Sequence, residues 1–181
     1  IGMIFKKPIS ILFLKDVEEV SLTPLISYLK SIPHIRLSDI SQLPAELDSY
    51  DIVITSNTRY PDTTIDRLTR FVQGGGGWHM FVNLTEHPIP RLFGVQQDMI
   101  GPATELRILF ENAEHPLAAR LPDATYLNGR YHALNKTAED AETILYADWQ
   151  YSHNPVLTYR RIGQDHVACT SIQAYSHLVL Q

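Results

Sequence analysis

Short apolar runs alternate with stretches of helical periodicity in the first half of the chain. The apolar runs predict strands at residues 9–14, 34–37, 50–56 and 78–82. Apolar residues spaced three and four apart predict amphipathic helices at residues 20–30 and 62–72. Strands that alternate with helices indicate a parallel sheet with helices on both faces, whose ligands bind beyond the carboxyl ends of the strands.

The second half of the chain has a different pattern. Four further strands are predicted, at residues 105–110, 143–147, 155–160 and 166–172. The last two flank Gly163, which suits a hairpin turn and so an antiparallel extension near the C-terminus. With no linker or repeat, residues 1–181 are interpreted as one α/β domain. The start at Ile1 and the end within an apolar run suggest excision from a longer protein.

Composition and charge exclude several classes of partner. The 181 residues are 44% hydrophobic and 19% charged, which is typical of a folded globular protein. A net charge of −5 makes nucleic acid and anionic membranes unsuitable partners, and no apolar run approaches the roughly 20 residues of a membrane span. One cysteine, Cys169, allows no internal disulfide and no multi-cysteine metal site. A cytoplasmic location is expected.

Four consecutive glycines, residues 74–77, raise the question of a phosphate-binding loop. Such a loop joins a strand to the N-terminus of a helix, where amides and the positive dipole end face the phosphate. Here the predicted helix comes first and a strand follows, so the nearby helix end is the negative C-terminus. The run therefore predicts a tight helix-to-strand turn and not a nucleotide site.

The order of these elements resembles a known family. The chain is similar to the trehalose-utilisation (ThuA-like) family of the class I glutamine amidotransferase-like superfamily in one succession of elements. These are the strand at residues 50–54, the polar residues after it, a helix ending in Phe71–Val72, the glycines and an apolar strand. The segments at residues 115–121 and 154–167 are also similar to it. The resemblance implies a flavodoxin-like parallel sheet flanked by helices and a small, carbohydrate-related ligand.

The same resemblance bears on catalysis. The superfamily's amidotransferases carry a nucleophilic cysteine in the turn after the strand that follows the glycines. Residues 81–87, the corresponding stretch here, contain no cysteine, so glutamine amidotransferase activity is not expected. The family histidine at the end of that strand is also missing, because Val82 and Asn83 occupy the position.

Polar residues after the predicted parallel strands form the candidate ligand-binding rim. Its members are Asp16, Asn57, Asn83, Glu86 and His87. Glu86 and His87 are also candidates for a catalytic acid–base pair, against the alternative of a solvated loop before the prolines. No cofactor and no metal are expected at this rim.

Two other groups have a functional and a structural interpretation. His115 with Glu111 and Glu114 could ligate a divalent metal, but a helix that begins at Pro116 and packs Leu117 and Leu121 is favoured. Polar and aromatic residues lie near predicted strand ends at residues 131–132, 148–149 and 151–154. They are consistent either with a sugar-binding site or with ordinary half-buried packing. Cys169 is predicted to be a small buried hydrophobe.

Three functions remain open from the sequence. The first is a ligand-binding ThuA-like domain without amidotransferase activity. The second is a catalytically silent interaction or regulatory domain, fused to other domains or homo-oligomeric. The third is a hydrolase that uses Glu86 or His87 as a general base.

Overall fold

The fold is a mixed α/β structure built on one large sheet. The computed structural model describes residues 7–15, 22–56, 59–82, 87–100, 104–120, 122–148 and 152–173. Within these ranges lie two α-helices, α1 (Thr23–Ser31) and α2 (Asp62–Gln73), and short 3-10 turns at Arg91–Phe93 and Ala118–Arg120. The strands are β1 (Ile9–Leu14), β2 (Ile35–Ile40), β3 (Ile52–Ser56), β4 (Gly77–Phe81), β5 (Val95–Ile100), β6 (Thr104–Phe110), β7 (Ala124–Lys136), β8 (Ala141–Asp148), β9 (Asn154–Ile162), β10 (Asp165–Thr170) and β11 (Ile172–Gln173).

The part of the sheet that contains the four N-terminal strands and β10 is parallel. Its strands follow the order β2-β1-β3-β4-β10, and each neighbouring pair is parallel. Because side chains alternate along a strand, Leu12 of β1 packs on the α2 side while Phe13 packs on the α1 side. The two helices therefore cover opposite faces of the parallel half.

The rest of the sheet is antiparallel. It continues from β10 in the order β9-β8-β6-β7-β11, and β5 pairs with the part of β7 that β6 leaves unpaired. The 13-residue β7 is therefore shared among three partners, with residues 124–129 on β6, residues 130–131 on β11 and residues 132–136 on β5. Because β5 belongs to the segment that follows β4 in the chain, its pairing with β7 joins that segment to the sheet.

The predicted mixed α/β class and its antiparallel C-terminal part are confirmed. The hairpin between β9 and β10 turns at Gly163, as predicted. Flanking of the sheet by helices is seen only in part, since α1 and α2 are the two α-helices of the described ranges. The predicted helix at Pro116 is wrong, because the described residues that follow it, up to residue 120, form a 3-10 turn and Leu117 is 56% exposed.

Two predictions about single features of the chain are also settled. Cys169 is buried at 1% exposure, as predicted for a small hydrophobe. Among the described residues, no helix is both long and apolar enough to cross a membrane.

The glycine run is a helix-to-strand turn, as predicted. The amides of Gly74 and Gly75 bond to carbonyls of the last turn of α2, and Gly75 has a φ of 105°, which disfavours any side chain. Gly76 is restricted by space instead, since a Cβ there would lie 2.2 Å from the ring of Phe71. The turn therefore needs glycine for its shape.

Gly76→Ala should lower the free energy of unfolding by about 1–2 kcal/mol, because the new methyl group must displace the Phe71 ring. Urea denaturation at 25 °C measures this loss. Gly74→Ala is the matched control, since its Cβ would meet no atom closer than 3.4 Å and its φ is −81°. Equal stability of the two variants would contradict a spatial requirement at Gly76.

Candidate functional site

The carboxyl ends of the parallel strands meet at one edge of the sheet, where the ligand-binding rim was predicted. Leu14 of β1 pairs with Thr55 of β3, and Ser56 pairs with Phe81 of β4. Of the five predicted rim residues, His87 belongs to the described part of the chain. Asp16, Asn57, Asn83 and Glu86 lie outside it, so the rim site and the Glu86–His87 pair stay predictions.

A cleft of about 1020 Å³ opens directly after His87. Its apolar wall comes from Pro88, Ile89, Val95 and Ala138, and its polar wall includes Arg91, Asp98, His132, Thr137 and Arg160. A mixture of apolar wall and a few polar groups is typical of small-molecule sites. The cleft therefore has the mixed lining that small-molecule sites use.

The inner end of this cleft lies at the carboxyl edge of the parallel sheet. The amide of Val82, just after β4, donates to the Thr170 carbonyl at the end of β10 (2.8 Å). The next residue, Ser171, accepts a bond from the His132 amide (3.2 Å), and its hydroxyl donates to the His132 carbonyl (2.5 Å). These bonds place His132 of β7 beside the ends of β4 and β10.

The His132 side chain is buried without a hydrogen-bond partner. The residue is 1% exposed, and neither ring nitrogen has a partner within the described residues. An unsatisfied buried polar group costs about 1–3 kcal/mol, so most proteins avoid one. A neutral imidazole supplies one donor and one acceptor, so His132 has hydrogen-bonding capacity that no described residue uses.

The cleft wall that carries Arg91 is anchored to the core. Phe93 packs edge-on against Trp78 of β4 with ring centroids 4.8 Å apart. Trp78 in turn donates its indole N–H to the Thr55 hydroxyl (2.9 Å). The Gly94 carbonyl accepts the amides of Thr137 and Ala138, which ties this wall to the end of β7.

The charged groups of the cleft differ in how they are paired. Arg160 donates to Asp140 (2.8 Å) and to the Leu92 carbonyl (3.1 Å), while Asp98 accepts the Asn135 amide (2.8 Å). The exposed Arg91 has no acidic partner among the described residues. One guanidinium on the cleft is therefore unpaired and one is neutralised.

Apart from His132, the described members of the other groups singled out in the sequence lie outside the cleft lining. His115 accepts the Leu117 amide at Nδ1, and Glu111 bonds to His153 instead (2.5 Å). Within the described ranges, no three histidine, cysteine or acidic side chains come together to hold a metal. Asp148 pairs with Arg107 (3.3 Å), away from the cleft.

Tyr131 and His132 lie inside β7 and not at a strand end, which corrects the sequence prediction. Tyr131 is buried, and its hydroxyl accepts the Asn154 amide (2.9 Å) on the side of the sheet opposite His132. The sequence pattern gives no signal for Arg91 or Arg160, because the fold alone brings them to the cleft beside His132. Trp149 and Tyr151 lie outside the described residues.

The single cysteine cannot replace the missing amidotransferase nucleophile. Cys169 lies within β10, beside Met80 of β4, and its side chain faces the core. Burial raises the pKa of the Cys169 thiol, so it stays protonated at neutral pH. Residue 83, which follows β4 and Val82, is an asparagine.

Solved structures of known proteins share this fold. Comparison with protein-family models and with curated protein sequences finds no match. Among solved structures, a protein from Bacteroides uniformis described as ThuA-like matches 92% of this chain and 82% of its own, with a TM-score of 0.71 and 14% identity.

The chain has the fold of the ThuA-like proteins.

Two further solved structures that are similar to this chain differ greatly in length. The cytoplasmic protein STM3548 from Salmonella typhimurium matches 96% of this chain and 91% of its own, with a TM-score of 0.71 and 15% identity. A β-galactosidase from Bacillus circulans sp. alkalophilus matches 92% of this chain, with a TM-score of 0.65 and 16% identity. This chain spans only 29% of that enzyme.

Replacing His132 with phenylalanine should leave the free energy of unfolding unchanged or raise it by about 1 kcal/mol. The change removes two unpaired ring nitrogens and keeps a planar ring of similar shape. Ser171→Ala is the comparison, because its hydroxyl is bonded, and it should lose about 1 kcal/mol. A loss above about 2 kcal/mol for His132→Phe in urea denaturation would show that the imidazole is a structural group.

His79, on the opposite face of β4 from Trp78, should make stability depend on pH. Burial lowers the pKa of His79 to about 4, while its neutral ring bonds Thr170 (2.7 Å) and stacks on Phe81. The unfolded chain takes up this proton near pH 6.5, so the contribution is complete above pH 6.5 and is lost as the pH falls toward 4.

The matching experiment compares urea denaturation at pH 7 and pH 4.5. His79→Gln should shrink the loss of unfolding free energy between these pH values by about 1–2 kcal/mol. His34→Gln, at an exposed histidine, should leave it unchanged. An equal pH dependence in wild type and His79→Gln would contradict a neutral buried ring.

Proposed function

We propose that this chain is a ThuA-like domain without amidotransferase activity that binds a small, carbohydrate-related ligand at the carboxyl edge of its parallel sheet. The observation that carries the proposal is the buried, unpartnered imidazole of His132 on the wall of the cleft after His87. The ligand lies against Ile89 and Val95 and bonds to His132 at the inner end.

The lining of the cleft supports a sugar as the ligand. Sugars present hydroxyl groups that donate and accept hydrogen bonds, and apolar C–H faces between them. Gln96, Thr137 and the ring of His132 supply polar partners, while Pro88 and Ile89 supply apolar surface. The fold also occurs within a β-galactosidase, which adds a carbohydrate context without assigning a substrate.

The finer parts of the proposal rest on the ThuA-like resemblance. A doubly wound, flavodoxin-like ancestry would explain why the strand order β2-β1-β3-β4-β10 is parallel and why its carboxyl edge faces the cleft. On the basis of the same resemblance, we also propose a cytoplasmic location and a link to trehalose utilisation. The predicted rim residues would extend the cleft beyond His87.

A second candidate is a catalytically silent interaction or regulatory domain of a larger protein. The favouring observation is that this fold makes up 29% of the β-galactosidase chain it matches. The two candidates differ in one property, since a silent domain needs no small ligand in the cleft.

Isothermal titration calorimetry with galactose, mannose and trehalose separates the candidates. Ligand binding in the cleft predicts saturable heat with at least one sugar, and His132→Phe should weaken that binding at least 10-fold because it removes the buried hydrogen bonds. His79→Gln is the matched control, since His79 lies on the other face of β4, and should bind as the wild type does.

Two results would reject ligand binding in this cleft. Unchanged affinity of His132→Phe would place the ligand elsewhere. No binding of any sugar at millimolar concentration would favour the silent domain.

A further inference from the structure

The distribution of charge around the cleft indicates more than a neutral sugar. Arg91 and Arg160 both line it, and Asp98 is the acidic residue of the lining. Asp98 already accepts the Asn135 amide, and the charge of Arg160 is offset by Asp140. Two charges of the lining therefore have no oppositely charged partner among the described residues: the carboxylate of Asp98, because Asn135 is neutral, and the exposed guanidinium of Arg91 on the wall fixed by Phe93.

His132 and Arg91 offer complementary interactions to one molecule. A neutral imidazole gives one donor and one acceptor, as a hydroxyl group requires. A guanidinium has only donors, in a planar fork that matches carboxylate and phosphate oxygens. A ligand that satisfies both residues therefore carries hydroxyl groups and an anionic group.

We propose that the ligand of the cleft is an anionic sugar, with its carboxylate or phosphate on Arg91 and a hydroxyl group on His132. This inference rests on the proposed sugar-binding function and narrows the class of ligand. The cleft volume of about 1020 Å³ accommodates a sugar with its anionic substituent. Arg160, held by Asp140 and the Leu92 carbonyl, forms the fixed wall beside it.

Calorimetry with three matched ligands tests the inference: galactose, galacturonate and galactose 6-phosphate. At least one anionic sugar should bind at least 10-fold more tightly than galactose, and the difference should shrink as salt rises from 50 to 500 mM. Comparing the carboxylate with the phosphate identifies which anion is preferred.

Arg91→Gln should remove the advantage of the anionic sugar, so that in this variant the anionic sugar and galactose bind with about equal affinity. Arg36→Gln is the matched control, because Arg36 is an exposed arginine on β2, outside the cleft lining. His132→Phe should weaken neutral and anionic sugars alike.

The failures of the two proposals are distinguishable. If galactose binds and neither anionic sugar binds more tightly, the charge inference is overturned while the sugar-binding function stands. If no sugar binds, both fall. If inorganic phosphate or acetate alone binds as tightly as the anionic sugars, the site recognises a simple anion and the sugar class is overturned.

Discussion

The parallel pairing of β10 with β4 is the contact on which the rest of the structure depends. β10 forms a hairpin with β9, yet its other edge pairs in parallel with β4, from Val167 opposite Trp78 to Thr170 opposite Phe81. This pairing joins the antiparallel and parallel halves into one sheet. It also brings Ser171 to the carboxyl edge, where Ser171 bonds to both the amide and the carbonyl of His132. The position of His132 at the inner end of the cleft follows from this one strand pairing.

The chemistry at this edge differs from that of the amidotransferases that the sequence resembles. A nucleophile would have to follow β4, whereas this chain has Asn83 there and keeps its one cysteine buried in β10. What the edge offers instead is an imidazole with unused hydrogen-bonding capacity and a nearby free guanidinium. Such groups donate and accept hydrogen bonds and bind anions, which is why ligand binding is the function that we propose. The energetic cost of the unpaired imidazole is consistent with the trade of stability for function common at binding sites.

The sequence predicted the strands that are buried on both faces. β1, β3 and β4 lie between helices or other core segments, so their apolar runs are continuous and easily recognised. β7 was missed because its sequence mixes polar and apolar residues, and only residues 131–134 are fully buried in succession. The cleft was beyond sequence reasoning for a different reason. It depends on the approach of residues 88–98 to His132 and Arg160, and residue spacing along the chain does not encode that approach.

The most direct test of the central claim is the side-chain ¹⁵N NMR spectrum of the histidines during titration with galactose and galacturonate. Ligand binding at the carboxyl edge predicts saturable shifts of the two His132 ring nitrogens, which gain hydrogen bonds, while those of His79 stay unchanged. Assignment by comparison with His132→Phe identifies the signals. Saturable binding that leaves the His132 nitrogens unmoved would contradict the claim that this imidazole contacts the ligand.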